Sequence, residues 1–236
     1  MTRQCSDCGV RDRSLCGSLN DTELVHLARL GVQRRLVRGE SLVRADDPPL
    51  ICANLQSGAM KVSSVTAGGD EAIVGLLYPG DFIGRPFAGS DHHDVVALTD
   101  VELCVFQRAD FERALTEHRE MEQKLLQRTL AELDRARRWL MLLGRATATA
   151  RVAGFLDDVQ HRLGVNDCQR GMATESVAFD LPLSRGEMAD VLGLTIETVS
   201  RQMTRLRAGG IIDLPGGRAV VIRDAAALAE AADAFP

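Results

Sequence analysis

From residue 118 to residue 143 the chain runs without glycine or proline and is rich in Leu, Glu, Gln and Arg. A stretch of that length and composition favours a long α-helix. Leu126, Leu130, Leu133 and Leu140 fall at a/d spacing along it, with Arg137 at the remaining seam position. Four leucines in a narrow seam suit a second helix better than a broad core face. A two-stranded coiled coil is therefore expected, making the chain a homodimer with Leu126, Leu130, Leu133, Arg137 and Leu140 at the interface. The competing arrangement lays the seam on the preceding domain. Arg137 weakens the pairing, so the dimer is expected to be marginal and switchable.

The patterns on either side of this helix differ. Residues 32–107 carry short β-type runs at 40–44, 50–56, 60–65, 72–77, 95–98 and 101–107, punctuated by Gly39, Pro48-Pro49, Ser57-Gly58, Gly68-Gly69 and Pro79-Gly80. Many short strands at this spacing indicate a β-sandwich or barrel-like domain. Before them, Asn20 and Glu23 form a capping-box pattern that should start a short helix running to about Arg29. Residues 109–115 read as a short helix, 149–164 as another and 165–174 as a polar loop. From about residue 145 the pattern is that of a small α/β domain.

The segment from Leu183 to Ile222 is the most specific in the chain. Ser184 and Glu187 make a second capping box, opening a helix that ends at Gly193, where the turn needs a permissive backbone. Thr195 caps a second helix running to about Ala208, and Gly209-Gly210 ends it. Ala189 is small where the two helices must cross, and Leu194 and Val199 supply apolar positions between them. This is a helix-turn-helix whose second helix can enter a major groove. Two apolar runs, 211–214 and 218–222, flank Pro215-Gly216-Gly217 and read as a hairpin, which makes the unit a winged helix-turn-helix.

On the second helix Glu197, Ser200 and Arg201 share one face near the N-terminal end. Arg can hold guanine O6 and N7, Glu can accept from cytosine N4, and Ser can donate or accept, so these three are the candidate base readers. Thr195, Thr198, Arg205 and Arg207 are placed for phosphates. The net charge of -5 argues weakly against nucleic acid. The local field matters more, and residues 195–210 carry Arg201, Arg205 and Arg207 against Glu197 alone.

The other end of the chain carries Cys5, Cys8 and Cys16 in a C-x2-C-x7-C pattern. Thiols this close together in a polar terminus can chelate a metal or cluster, form a disulfide or act as a redox dithiol. Three more follow: Cys52 in an apolar run, Cys104, and Cys168 in the polar loop. No run of about 18 apolar residues is present, and the N-terminus lacks an apolar signal core, so no membrane span and a cytoplasmic location are expected. With 236 residues, 45% of them hydrophobic, the chain can bury one or two cores.

The stretch from Leu183 to Arg201 strongly resembles the helix-turn-helix of the CRP–FNR superfamily of bacterial transcription regulators, and Glu197-x-x-Ser200-Arg201 matches its FNR branch. Gly69-Asp70-Glu71 and the run from Gly75 to Gly84 resemble the family's β-roll. The resemblance implies an α+β fold: a double-stranded β-helix (a cupin-like jelly roll), a long dimerisation helix and a C-terminal winged helix-turn-helix. The implied domains are a Cys-rich segment over 1–19, a β-roll sensor over 20–116, the dimerisation helix over 117–145 and a DNA-binding domain over 146–236. It further implies an oxygen-labile 4Fe-4S cluster held by three N-terminal cysteines and one from the β-roll. Cys5, Cys8 and Cys16 match the three, and Cys104 matches the fourth. Such regulators dimerise with the cluster intact, bind a palindrome resembling TTGAT-N4-ATCAA and recruit RNA polymerase. Oxygen converts their cluster to a 2Fe-2S form, and dimer and DNA binding are lost. The x7 gap departs from the x5 gap of the best-known members and belongs to a recognised branch.

Other readings compete. Zinc would make the cysteines a structural site without an oxygen response, a thiol switch would need only Cys5 and Cys8, and nitric oxide reacts with the same cluster. Cys52 is the rival fourth ligand; as a buried free cysteine it has an ordinary explanation. Leu15, beside Cys16, either shields a cluster or makes an ordinary apolar contact. The His92-His93 pair lies in a loop resembling the branch's polymerase-contacting surface rather than a metal site. Where a cyclic-nucleotide pocket would continue from Gly84 with a phosphate-binding Arg, this chain has an Asp nearby, so no cyclic nucleotide is expected. No nucleophile–base pair or His/carboxylate triad suggests an enzyme.

Overall fold

The computed structural model describes residues 5, 8–65, 68–69, 71–90, 92–163 and 177–233. The chain divides into two compact units, Met1–Glu132 and Leu133–Pro236. The expected polar loop and Cys168 lie outside the described residues.

In the first unit a short 3-10 turn, Leu15–Ser18, leads into α1 (Asp21–Leu30). The capping box forms in both directions: the Asn20 side chain accepts from the Glu23 N–H at 3.0 Å, and the Glu23 carboxylate accepts from the Asn20 N–H at 2.9 Å. Eight strands follow: β1 (Val32–Leu36), β2 (Ser41–Val43), β3 (Ile51–Ser57), β4 (Met60–Val65), β5 (Glu71–Leu77), β6 (Phe82–Ile83), β7 (Asp94–Ala97) and β8 (Val101–Gln107). They form two four-stranded antiparallel sheets, ordered β1-β8-β3-β6 and β2-β7-β4-β5. A core drawn from both sheets includes Leu36, Leu42, Ala53, Leu55, Met60, Val95 and Leu103.

Side chains alternate along a strand, so the first sheet has a second face to cover. Cys52, Cys104 and Phe106 belong to that face and join a separate core with Leu15, Leu19, Leu24, Leu27, Phe111, Leu115 and Met121. The last three come from α2 (Arg108–Glu117) and the start of α3 (Arg119–Arg145). The Phe111 ring lies 5.0 Å from that of Phe82 and 5.5 Å from that of Phe106. Burying a large apolar side chain contributes about 1.5–3 kcal/mol. Leu15, Phe111 and Met121 are completely buried and hold the N-terminal segment and two helices against this face.

The second unit takes up the end of α3, where the Trp139 ring meets that of Phe155 edge-on at 6.3 Å. It continues through α4 (Ala148–Leu163), β9 (Val177–Asp180), α5 (Arg185–Leu192), α6 (Ile196–Ala208), β10 (Ile212–Gly216), β11 (Ala219–Ile222) and α7 (Ala225–Ala232). Helices α5 and α6 form the helix-turn-helix, and the wing is an antiparallel sheet ordered β10-β11-β9. Gly193 ends α5 at φ 60°, ψ 43°, the left-handed conformation that glycine adopts without strain.

Four elements have no counterpart in the sequence pattern. Strand β1 reads Val-Gln-Arg-Arg-Leu, without alternation, and exists because it pairs along β8. Strand β6 has only two residues. Strand β9 completes the wing by pairing with β11, and α7 is a short alanine-rich helix started by the Asp224 cap. Among the described residues no helix is long and apolar enough to cross a membrane.

Candidate cysteine site and nucleic-acid interface

The pairing of β3 with β8 sets Asn54 opposite Cys104 and Cys52 opposite Phe106. All four residues therefore face the outer core. A pocket on this face is lined by Cys5, Cys8, Cys16 and Cys104, together with Asn54, Gln56, Phe106 and residues of α1. The structure thus brings the four sequence-predicted thiols together. Cys52 is not among the lining residues. It is completely buried, with its Sγ close to the backbone of Gly84: a Cβ built there would lie 3.0 Å from it.

The electrostatics separate the same residues. Burial pushes the Cys16 thiol up to about 11, with Cys5 and Cys8 adding to the rise and the Ser14 hydroxyl opposing it. Burial pushes Cys104 up to about 12, again reinforced by Cys16, Cys5 and Cys8. Cys5 is raised by burial and then by Cys8, against the pull of Arg11. Cys52 is also pushed up to about 12, by burial and then by Glu112, with Arg108 opposing. Its electrical neighbours are therefore side chains of α2, whereas the other thiols feel one another. Thiols raised this far are protonated at neutral pH, so ligation requires metal to displace their protons.

Two amides face the sulfurs. Asn54 donates from Nδ2 to Cys16 Sγ at 3.6 Å, and Gln56 donates from Nε2 to Cys8 Sγ at 3.8 Å. The remaining oxygens, Asn54 Oδ1 and Gln56 Oε1, are buried without a hydrogen-bond partner among the described residues. Sequence reasoning missed both donors. Their alternation along β3 was visible, but only the β3–β8 register shows that Asn54 faces Cys104, and Gln56 sits at the irregularity just beyond it. Leu15 is completely buried in the outer core, as an apolar contact beside Cys16. His93 Nδ1 lies 2.7 Å from the Ser64 hydroxyl, and His92 Nδ1 lies 3.4 Å from the Asp46 carboxylate. Among the described residues no three His, Cys, Asp or Glu side chains are arranged to hold a single metal ion.

On α3, Leu126, Leu130, Leu133 and Leu140 are exposed, from 45% at Leu133 to 72% at Leu140. An apolar stripe so open in the isolated chain lacks a cover. Arg137 is exposed too and pairs with Asp134 on its own helix at 3.2 Å.

Helix α6 has two faces. Val199, Gln202, Met203 and Leu206 are buried, whereas Glu197, Ser200, Arg201 and Thr204 are exposed. The two sets follow the same helical period, so fixing one turns the other outward. Thr195 caps the helix by accepting from the Thr198 N–H at 3.2 Å, and Arg201 Nη2 donates to the Thr198 hydroxyl at 3.3 Å. Glu197 is held below the usual carboxylate range by its own backbone N–H and then by the Thr195 hydroxyl, so it stands as an ionised acceptor. Arg205 and Arg207 are exposed near the end of the helix. Two supports escaped sequence reasoning because their partners are distant in the chain. Thr149 donates to Gln202 Oε1 at 2.8 Å, and Arg151 donates to the Leu192 carbonyl at 3.1 Å, tying α4 to α6 and to the turn after α5.

The chain matches two protein families: a Crp-like helix-turn-helix domain over residues 150–231 and a cyclic nucleotide-binding domain over residues 33–118. It is 38% identical over 229 residues to the transcriptional activator protein FnrL of Cereibacter sphaeroides, covering 97% of this chain and 92% of the relative. It is 27% identical over 231 residues to the fumarate and nitrate reduction regulatory protein of Escherichia coli, covering 97% and 90%. Among solved structures it resembles FixK2 from Bradyrhizobium japonicum with a TM-score of 0.76 and 29% identity, covering 86% of this chain and 98% of that one.

If the pocket rather than Cys52 provides the fourth ligand, Cys104→Ser should abolish iron binding in anaerobically prepared protein, and Cys52→Ser should leave it unchanged. Iron analysis of the two variants decides this, and the reverse pattern would assign the ligand to Cys52.

Proposed function

Because the chain belongs to the FNR branch of the CRP–FNR superfamily, and so is a transcription regulator with a helix-turn-helix domain rather than an enzyme, we propose that it is an oxygen-responsive activator controlled by an iron–sulfur cluster. The observation that carries this reading is the single pocket lined by Cys5, Cys8, Cys16 and Cys104. Four thiolates are the usual complement for a 4Fe-4S cluster. One zinc would need its sulfurs drawn around a single point at about 2.3 Å. Here the four thiols come from two distant parts of the chain and line one pocket, the donor set a cluster takes. When bound, the cluster supplies an oxygen-reactive cross-link between ligands distant in sequence.

The residues of the chain do the rest. Cys5, Cys8 and Cys16 tie the N-terminal segment to Cys104 on β8, with Leu15 packing that segment onto the sheet. Asn54 and Gln56 direct N–H groups at two of the sulfurs, the kind of outer contact that orients ligands and tunes a metal centre. The exposed leucines of α3 form the seam of a homodimer, with Arg137 limiting its strength. In the dimer, Glu197, Ser200 and Arg201 read base edges in each half of a palindrome resembling TTGAT-N4-ATCAA, while Thr195, Thr198, Arg205 and Arg207 hold phosphates. The loop containing His92 and His93 belongs to the surface offered to RNA polymerase.

We assign the β-roll no cyclic nucleotide. Asp94 lies near where the resemblance would call for a phosphate-binding Arg, and its carboxylate, which accepts from the Ala45 N–H at 3.1 Å, would repel a cyclic phosphate.

Anaerobic binding titrations on a TTGAT-N4-ATCAA duplex test the oxygen response. Tight binding that disappears on exposure to air is expected, and binding indifferent to air would refute the response. On the same duplex, Arg201→Ala should cost about 1–3 kcal/mol and relax selection at one guanine. An equal loss across unrelated sequences would make Arg201 a phosphate contact instead.

A further inference from the structure

The loop between Cys8 and Cys16, the turn at Gly80 and helix α3 meet at one place in the first unit. Arg13, inside that loop, rests its backbone on Gly80: a Cβ there would lie 2.9 Å from the Arg13 carbonyl oxygen and 3.2 Å from the Arg13 Cβ. Gly80 also holds φ at +99°, a conformation glycine tolerates and other residues rarely adopt. Its N–H donates to the Leu55 carbonyl at 2.8 Å, and the Leu55 N–H donates to the Asp81 carbonyl at 3.0 Å. The turn is thus fixed to β3 between Asn54 and Gln56, the two residues that donate to the sulfurs. The Gly80 carbonyl in turn accepts from Arg128 Nη1 at 2.8 Å.

Arg128 lies on α3 between Leu126 and Leu130, both more than half exposed. Its Nε is buried with no hydrogen-bond partner among the described residues. Burial pulls the guanidinium below its ordinary value, and Asp81 and Cys16 oppose that pull. A costly, partly desolvated cation has therefore been placed where the cysteine loop reaches the helix that carries the seam.

We propose that Arg128 is a positioning residue that couples the state of the cysteine pocket to the dimer seam, through the Gly80 carbonyl it grips and the Arg13 backbone resting on the same glycine. The proposal rests on the cluster reading above. With Cys8 and Cys16 tied together, the loop between them is held, Arg13 stays on Gly80, and the carbonyl presented to Arg128 is fixed. Arg128 then holds this stretch of α3, with Leu126 and Leu130, in one register. With the ends of the loop released, Gly80 loses the Arg13 contact and the grip on α3 slackens. No contact between the thiols and the seam leucines is required. Among the described residues Arg128 makes no hydrogen bond to a cysteine sulfur; its bond is to the Gly80 carbonyl, so its effect would be on coupling rather than on the thiols.

Sedimentation equilibrium on the intact chain tests this, comparing cluster-loaded protein with protein stripped by air and chelator, with iron determined for each sample. Wild type should dimerise more tightly when loaded, by about tenfold or more, within the range usual for coupled sites. Arg128→Gln should retain its iron yet dimerise equally in the two forms. Arg128→Lys, which can still donate to the Gly80 carbonyl, should restore most of the difference. The relay is overturned if Arg128→Gln keeps the full difference, if it weakens both forms by the same factor, or if it loses iron that wild type holds. In the last case the cluster reading stands and Arg128 is part of the pocket's framework. Wild type that binds no iron overturns the cluster reading, and the relay with it.

Discussion

Asn54 stands opposite Cys104 across the antiparallel pairing of β3 and β8, and the cysteine pocket of the first unit depends on that register. Strand alternation sends Leu103 into the core between the sheets and Cys104 to the outer face. A slip of one residue would exchange them, putting a thiol in the apolar core and a leucine where the other cysteines gather. The same pairing sets Asn54 beside the pocket and carries Phe106 toward Phe111, whose tilted ring contact secures α2. Packing of the sheet interior thereby fixes the chemistry of its exterior.

A parallel constraint governs α6. Its buried residues, Val199, Gln202, Met203 and Leu206, anchor one face, and the helical period then leaves Glu197, Ser200 and Arg201 pointing to solvent. Gln202 is a polar member of the buried face, and its bond from Thr149 satisfies it while fixing the helix to α4. The left-handed Gly193 and the Arg151 guanidinium on the Leu192 carbonyl set the turn between α5 and α6. These supports set the direction in which the proposed reading side chains, Glu197, Ser200 and Arg201, point.

Local signals in the sequence were legible because they depend on neighbours. Both capping boxes, the ends of α5, the Thr195 cap and the Gly- and Pro-free run of α3 follow from residues a few positions apart. Features created by distant pairing were not. Strand β1, with Gln33, Arg34 and Arg35 in its middle, has no apolar alternation and takes its conformation from β8. The donors at Asn54 and Gln56, the Arg151 brace and the Arg128–Gly80 bond each need a partner more than 35 positions away. The spacing of Cys104 and Cys52 did not distinguish them as ligands. Both lie on the same face of the first sheet, and only their neighbours differ: three thiols around one, and Glu112 and Arg108 around the other.

The two halves share α3, whose leucines are exposed along a seam and whose Arg128 reaches back to the turn under the cysteine loop. The marginal seam we propose would suit a switch, since a strong one would dimerise whatever the state of the pocket. The account therefore hinges on what the four thiols hold. Iron and acid-labile sulfide, determined on protein purified without oxygen, test this most directly. The account predicts a brown protein with about four of each per chain; a colourless protein carrying zinc, or no metal, would contradict it.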